Sequence, residues 1–343
     1  VNILITGGAG YIGNVLVAKL FQAKNSQTSL SFYDKLVFDH SDVDYNKLSH
    51  YVNFKKLTVF DNLMYRQVCL TDFCYRGDFE FVFGDVRDKT LLLKYIKEAD
   101  VIIPLAAIVG FPACERDKKL SKQINFEQVK FILGNTSKNQ RIIFPNTNSG
   151  YGVGDRTTLC TEETPLSPIS VYGRTKCAAE KLLLDSGRAI ILRLATVFGV
   201  SPRMRLDLIV NNFVYKALND EYIVLFEKNF RRNFIHIQDV ALTFISAINN
   251  YDRMVGNAFN VGLSDTNLSK LELCEKIKEY VSTFVIKCDD FREDPDKRDY
   301  IVSNKKLEKI GWTPYYTLDL GIRELLKAYR IINHHQNKYF TNL

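Results

Sequence analysis

At 343 residues, with 46% hydrophobic and 25% charged side chains, the chain has the make-up of an ordinary soluble globular protein too large for one core, so a large domain with a smaller lobe is expected. Its formal net charge of +7 comes from basic residues spread along the chain, which argues against a nucleic-acid surface, and no apolar run approaches the ~18 residues of a membrane span. The seven cysteines include no Cys-x-x-Cys pair and the five histidines show no helical ligand spacing, which speaks against a disulfide framework and a metal site and leads to the expectation of reduced thiols in a cytoplasmic protein.

The first element is an apolar strand, Ile3-Leu4-Ile5, with no signal-like stretch before it. Glycines at 7, 10 and 13 follow in G-x-x-G-x-x-G spacing, rather than the commoner G-x-G-x-x-G. Such glycines allow a tight turn, a close backbone approach and tight helix-on-sheet packing, so a dinucleotide pyrophosphate can sit on the N-terminus of the next helix. A purely structural bend is the alternative. Tyr11 and Ile12 lie inside the turn and join the expected cofactor contacts, and Tyr11 to Lys24 has helical periodicity through Val15, Leu16 and Leu20.

Two stretches compete for the second strand: Leu30 to Tyr33, followed by Asp34, and Leu57 to Phe60, followed by Asp61 and Asn62. The acid after this strand would hydrogen-bond the adenosine ribose, and the usual distance of ~20 residues past the glycines favours Asp34. The run from Thr58 leads instead into Phe79 to Phe83, an apolar third strand ended by Gly84-Asp85-Val86, and on that ground the acid is assigned to Asp61. Residues 25 to 56 then become an insertion. An acid at this place also repels a 2'-phosphate, so the expected cofactor is NAD rather than NADP.

Val101 to Pro104 reads as a fourth strand, running out through Leu105, Ala106 and Ala107, small residues past which a cofactor could pass. Arg141 to Phe144 is the fifth and Ala189 to Leu194 the sixth, with helices expected at about 115 to 135 and 171 to 186. Strand alternating with helix implies an α/β fold with a doubly wound parallel sheet of the Rossmann type, whose ligands lie beyond the carboxyl ends of the strands. From about 201 the alternation lapses into shorter pieces, Leu206 to Leu218, Tyr222 to Phe226, Phe230 to Ile237, Ala258 to Val261 and Leu268 to Tyr280. Gln238 to Asn249 would return as a helix against the sheet, and the polar tail from Asn333 is expected to fray.

Tyr172 and Lys176 are one helical turn apart, so both face the same way. A nearby ammonium lowers a tyrosine pKa and makes the phenol a usable proton carrier. Thr147, just past the fifth strand, could hydrogen-bond the same substrate oxygen.

Over nearly its whole length the chain resembles the extended short-chain dehydrogenase/reductases, in particular the nucleotide-sugar epimerases and dehydratases. The family's glycine motif matches Gly7, Gly10 and Gly13; its strand-three acid matches Asp85, with Val86 beside the adenine; its strand end matches Leu105 to Ala107 and its helix asparagine matches Asn125. Its catalytic Ser/Thr, four residues before a Tyr-Gly pair, matches Thr147, and its Tyr-x-x-x-Lys matches Tyr172 and Lys176. The resemblance implies that Tyr172 removes the proton from a sugar hydroxyl while hydride passes to the nicotinamide, whose ribose Lys176 binds. It also implies that Arg231 and Arg298, with Arg203 and Arg205 as weaker candidates, hold the nucleotide diphosphate of the substrate. On this reading residues 1–200, completed by about 230–262, are the NAD-binding domain, and 201–343 mainly the nucleotide-sugar lobe.

The 4,6-dehydratases follow their threonine with Asp-Glu and the 3,5-epimerases place a cysteine base there, whereas this chain has Asn148 and Ser149, here taken as substrate contacts. What remains is redox at one carbinol carbon, C4, ending in a ketone or in epimerisation. The strings Pro145 to Gly152, Val197 to Arg205 and Glu293 to Tyr300 resemble the bacterial GDP-heptose 4-dehydrogenases of capsule synthesis, which favours net oxidation. A C4 epimerase of a UDP- or GDP-hexose is the alternative, and a non-catalytic NAD-binding regulator or scaffold is an alternative of another class, opposed by Thr147, Tyr172 and Lys176. A homodimer paired through the helices near 115 to 135 and 171 to 186 is also expected.

Overall fold

A computed structural model describes residues 1–25, 51–155, 157–289 and 297–332. Strand β1 (Asn2–Thr6) turns through the glycines into helix α1 (Tyr11–Asn25), and β2 (Lys56–Asp61) and β3 (Phe79–Phe83) lie beyond it. Parallel pairing of Ile5 with Val59 and of Thr6 with Phe60 identifies Leu57 to Asp61 as the second strand. The competing stretch Leu30 to Asp34, the string from Glu293 as far as Asp296 and the tail from Asn333 lie outside the described residues.

Helix α2 (Lys89–Glu98), capped by the Asp88 carboxylate accepting from Leu91 N, leads to β4 (Val101–Pro104). The single helix expected near 115 to 135 is broken. It comprises α3 (Phe111–Arg116), α4 (Lys118–Lys122), a π turn (Gln123–Glu127) and α5 (Gln128–Asn135). Asp117 causes the first break: it leaves helical geometry and its side chain caps the new helix by accepting from Leu120 N.

Strand β5 (Arg141–Thr147) runs three residues beyond the expected Phe144, so Thr147 is its last member. Helix α6 (Val171–Asp185) and strand β6 (Ala189–Leu194) follow as expected. The remainder holds β7 (Thr196–Phe198), α7 (Ile209–Asn219), β8 (Tyr222–Phe226), β9 (Arg231–Arg232), β10 (Phe234–His236), α8 (Ile237–Asn249), β11 (Ala258–Val261), β12 (Leu268–Ser269), α9 (Lys270–Lys278), β13 (Val285–Asp289) and α10 (Leu318–Tyr329).

The main sheet has seven parallel strands in the order β11-β6-β5-β4-β1-β2-β3. Side chains alternate between its faces. Ile3, Ile5, Val59 and Ile103 pack with Val15, Leu16 and Leu20 of α1 and Val240, Phe244 and Ile248 of α8, while Leu4, Ile102, Ile142 and Phe144 pack with Leu92, Ile132 and Leu183 of α2, α5 and α6. Helices on both faces make this a doubly wound Rossmann sheet, and its strand order reverses between β1 and β4, the place where such sheets open a crevice. Among the described residues no helix is long and apolar enough to cross a membrane.

Candidate functional site

The carboxyl ends of β1, β2, β4, β5 and β6 open on one cavity of about 1010 Å³. Its floor is the glycine turn. Gly7 has φ +72°, and a Cβ there would lie 2.5 Å from Ala106 N, so the turn and the Leu105 to Ala107 exit from β4 touch backbone to backbone. At Gly13 a Cβ would fall 2.5 Å from Gly8 Cα, whereas at Gly10 it would meet only Gly7 O at 3.1 Å, leaving this face of the turn clear for an approaching group. Tyr11 is tied down from above: its hydroxyl donates to Gly199 O (2.7 Å) and its carbonyl accepts from Ser201 Oγ (2.8 Å).

Asp61, 7% exposed, ends β2 on the cavity wall and accepts from Ala9 N (3.0 Å) and Leu63 N (2.8 Å), while burial pushes its carboxyl above the usual range. A carboxylate bound to the backbone of the glycine turn is well placed for a ribose hydroxyl. Asn62, Val86 and Ile12 also line the cavity, but Asp85 does not. Its carboxylate is taken by Arg87 (2.8 Å) and Asn62 (3.3 Å), and the hydrogen bonds from Arg87 bring it down to about 2. Asn125 likewise departs from expectation. It is 1% exposed and clamps Ile108, accepting from its N–H (2.9 Å) and donating to its carbonyl (3.0 Å), so it shapes the exit from β4 instead of reaching a ligand.

Thr147 closes β5 and caps the 3-10 turn Asn148–Tyr151, its hydroxyl oxygen accepting from Ser149 N (3.1 Å) and its proton going to Ser149 Oγ (2.9 Å). Ser170 caps α6 by accepting from Gly173 N (3.0 Å), which starts the helix where Tyr172 and Lys176 face the cavity. Thr147, Tyr172 and Lys176 all line this cavity, so the expected trio is assembled. The expected tuning is not. Burial pushes the Tyr172 phenol up to about 12, against the downward pull of Arg298 and Arg205. Lys176 rests instead over the Phe144 ring, 3.9 Å from its centroid, and burial brings its ammonium down to about 7. Of the pair Asn148 and Ser149, only Ser149 lines the cavity; Asn148 is buried away from it.

Behind the trio is a polar core that the sequence reading missed. Arg193 pairs with Glu180 (2.6 Å) and donates to the Tyr151 hydroxyl (2.9 Å), which donates to Asn260 Oδ1 (2.7 Å), and Asn146, beside Thr147, donates to Glu180.

Lysines and arginines outnumber carboxylates eight to two on the cavity wall, which suits a strongly anionic ligand. Arg203 lies 4.7 Å from the Tyr65 ring centroid, and Arg205 is held by Asp207 (Nε to Oδ1, 2.8 Å). Arg298 donates through Nη1 to Ser149 Oγ. Arg231 faces the other way, donating to Glu272 (3.0 Å) and to Asn267 O (2.8 Å), and its neighbour Arg232, 4% exposed, lines the cavity in its place. Adjacent strand residues point to opposite faces, so a one-residue error exchanges an inward guanidinium for an outward one. Tyr65 and Lys270 are further wall residues unmarked by any motif.

A sequence model of the NAD dependent epimerase/dehydratase family matches residues 3–262. The low-salt glycan biosynthesis protein Agl12 of Haloferax volcanii is 27% identical over 339 residues, covering 96% of this chain and 98% of its own length. The CDP-paratose 2-epimerase of Salmonella typhi is 25% identical over 360 residues, covering 94% of this chain and 98% of its own. Among solved structures, the UDP-glucuronic acid 4-epimerase of Bacillus cereus, in complex with UDP-glucuronic acid and NAD, superposes with a TM-score of 0.78 at 21% identity, covering 96% of this chain and 99% of that one, a likeness of fold.

Proposed function

The chain belongs to the NAD dependent epimerase/dehydratase family and is an NAD-dependent enzyme, and from that premise we propose that it oxidises C4 of a nucleotide-linked sugar, a GDP-linked D-glycero-α-D-manno-heptose used for bacterial surface polysaccharide. The observation that carries this reading is the convergence of Tyr172, Thr147 and Lys176 on the cavity floored by Gly7, Gly10 and Gly13. When bound, NAD supplies the hydride acceptor. The turn from Gly7 to Gly13 holds its pyrophosphate, Asp61 and Asn62 its adenosine ribose, and Val86 its adenine. Leu105 to Ala107 flank its path, and Lys176 holds the nicotinamide ribose. Tyr172 takes the C4 hydroxyl proton while Thr147 orients that oxygen. Arg203, Arg205, Arg232 and Arg298 surround the diphosphate. Neither Asn148 nor Ser149 supplies the carboxylates of a dehydration, and this supports redox at one carbon. Return of the hydride to the opposite face of C4 would make the same site a C4 epimerase, whereas the Salmonella relative is named for epimerisation at C2.

Incubating the purified protein with GDP- and UDP-linked sugars tests this: reduced nicotinamide and a product two hydrogens lighter are expected from one of them, and an isomer of unchanged mass supports epimerisation. Asp61→Ala should weaken NAD binding by about tenfold or more, the worth of a charge-assisted hydrogen bond, as read by calorimetry. If Asp34→Ala weakens it and Asp61→Ala does not, the ribose acid is misassigned. Arg232→Ala should raise the substrate KM by about tenfold or more, while Arg231→Ala, whose half-exposed bridge is worth about 1 kcal/mol at most, leaves it within a few-fold. We further propose a cytoplasmic homodimer packed through the half-buried Leu120, Phe126 and Phe131, which a doubled mass in solution at micromolar concentration would support and a monomeric mass would oppose.

A further inference from the structure

We propose that Ser149 is a positioning residue that ties Arg298 to the Thr147 hydroxyl and thereby fixes which way that hydroxyl faces during the reaction. The proposal rests on the roles of Tyr172 and Thr147 given above and extends them to a residue that neither the glycine turn nor the Tyr-x-x-x-Lys pair assigns.

A hydroxyl has one proton and two lone pairs. Thr147 gives its proton to Ser149 Oγ over 2.9 Å and uses one lone pair to accept from Ser149 N at 3.1 Å. The remaining lone pair of Thr147 is left for the cavity, whose wall it shares with Tyr172. Ser149 could reverse this arrangement by turning its own proton toward Thr147. Arg298 opposes the reversal, because its Nη1 also donates to Ser149 Oγ and a guanidinium carries only donors. Both lone pairs of Ser149 are thus filled, one by Arg298 and one by Thr147.

The polarity has a chemical consequence. With its proton held by Ser149, Thr147 presents only an acceptor to the cavity, so it does not hydrogen-bond the Tyr172 phenolate and leaves it the stronger base for the C4 hydroxyl proton. Without Ser149 Oγ, the Thr147 proton can turn toward Tyr172 and hydrogen-bond the phenolate, which stabilises the anion and makes it a weaker base. The charged and titratable groups that bear on Tyr172 are Arg298, Arg205 and Cys114, with Lys176 one turn along the helix, and Arg298 is the one that is also bonded to the Ser149 hydroxyl that holds the Thr147 proton. Arg298 also faces the proposed diphosphate site, so the same guanidinium connects the anionic end of the substrate with the alignment of the catalytic hydroxyl.

The test is a double-mutant cycle on Ser149→Ala and Arg298→Lys, with Ser149→Thr as the variant that keeps the hydroxyl. We expect Ser149→Ala to lower kcat by about tenfold or more, as misalignment of a reacting group does, with KM within about threefold, and Ser149→Thr to recover most of the loss. Arg298→Lys should lower kcat in the unmodified background but not in the Ser149→Ala background, while raising KM in both. A rise in KM with kcat intact for Ser149→Ala, or effects of the two substitutions on kcat that simply multiply, would overturn the proposal. Calorimetry with GDP alone provides a readout without turnover: Ser149→Ala should bind it within about threefold of the unmodified chain and Arg298→Lys about tenfold more weakly. Loss of GDP binding in Ser149→Ala would make the serine a diphosphate ligand and also overturn the proposal. If the unmodified chain reduces NAD with no nucleotide sugar, the functional reading falls instead, and the GDP comparison still decides the place of Ser149.

Discussion

Replacing Tyr172 by phenylalanine is expected to slow hydride transfer by ~100-fold to 10,000-fold, the usual worth of a positioned general base, while NAD binding stays within a few-fold. Phenylalanine keeps the ring in its place at the start of α6 and removes the group that can carry a proton. A merely packed hydroxyl, lost from a helix that keeps its Ser170 cap, would leave turnover nearly intact. The pH profile separates the two cases further. Burial pushes the phenol up to about 12, against Arg298 and Arg205, so at neutral pH it is held in the protonated, inactive form unless the bound cofactor draws it down. The base is the deprotonated phenolate, so the rate of the unmodified enzyme should rise with pH up to the phenol's effective pKa and fall as pH is lowered below it. The Tyr172→Phe variant should show no such limb, and stopped-flow measurement of nicotinamide reduction across pH is the check.

Arg193→Ala is the second large effect, and it concerns stability. Arg193 and Glu180 side chains are 5% and 2% exposed, and removing one partner leaves the other as an uncompensated buried charge. Such a loss costs about 3–5 kcal/mol, a large share of the roughly 5–15 kcal/mol that holds a domain folded. Urea unfolding should show the midpoint falling accordingly. The double replacement Arg193→Met with Glu180→Gln, which removes both charges, should recover much of the loss, because the penalty lies in the orphaned charge and not in the absence of an ion pair. Activity should drop in the single variant even where it remains folded, since Asn146, next to Thr147, donates to Glu180, and Tyr151 of the adjoining turn accepts from Arg193.

The difference between what could and could not be read from the sequence follows the range of the interactions. Gly7, Gly10 and Gly13 were legible because their role is set by backbone shape within a few residues, and Tyr172 with Lys176 because a helical turn is a local spacing. Asp61 was chosen over Asp34 because an apolar third strand followed it, and the parallel pairing of β2 with both β1 and β3 agrees with that argument. Helix α2 was overlooked although its local signs, the Asp88 cap and apolar Leu92, Tyr95 and Ile96, were present. Arg231 came from a match to the family pattern, and in a two-residue strand no alternation reveals that Arg232 is the side chain turned inward. The Arg193 network could not be inferred by periodicity at all: its partners Glu180, Tyr151 and Asn260 are brought together only when β5, β6 and β11 align in the sheet. The tuning of Tyr172 was also misjudged from spacing. Residues four apart share a helical face, but Lys176 settles on Phe144, and the cations that bear on the phenol come from Arg298 and Arg205, far along the chain.

The central claim is that this cavity moves hydride between C4 of a nucleotide-linked sugar and NAD, with Tyr172 as the base. Its most direct test is to give the NAD-loaded protein a GDP-heptose or GDP-hexose carrying deuterium at C4 and to follow the label by mass spectrometry of cofactor and sugar. Deuterium in the nicotinamide with a 4-keto product is the predicted result, with transfer lost in Tyr172→Phe. Transfer unchanged in Tyr172→Phe, or no label in the cofactor from any nucleotide sugar, would contradict it.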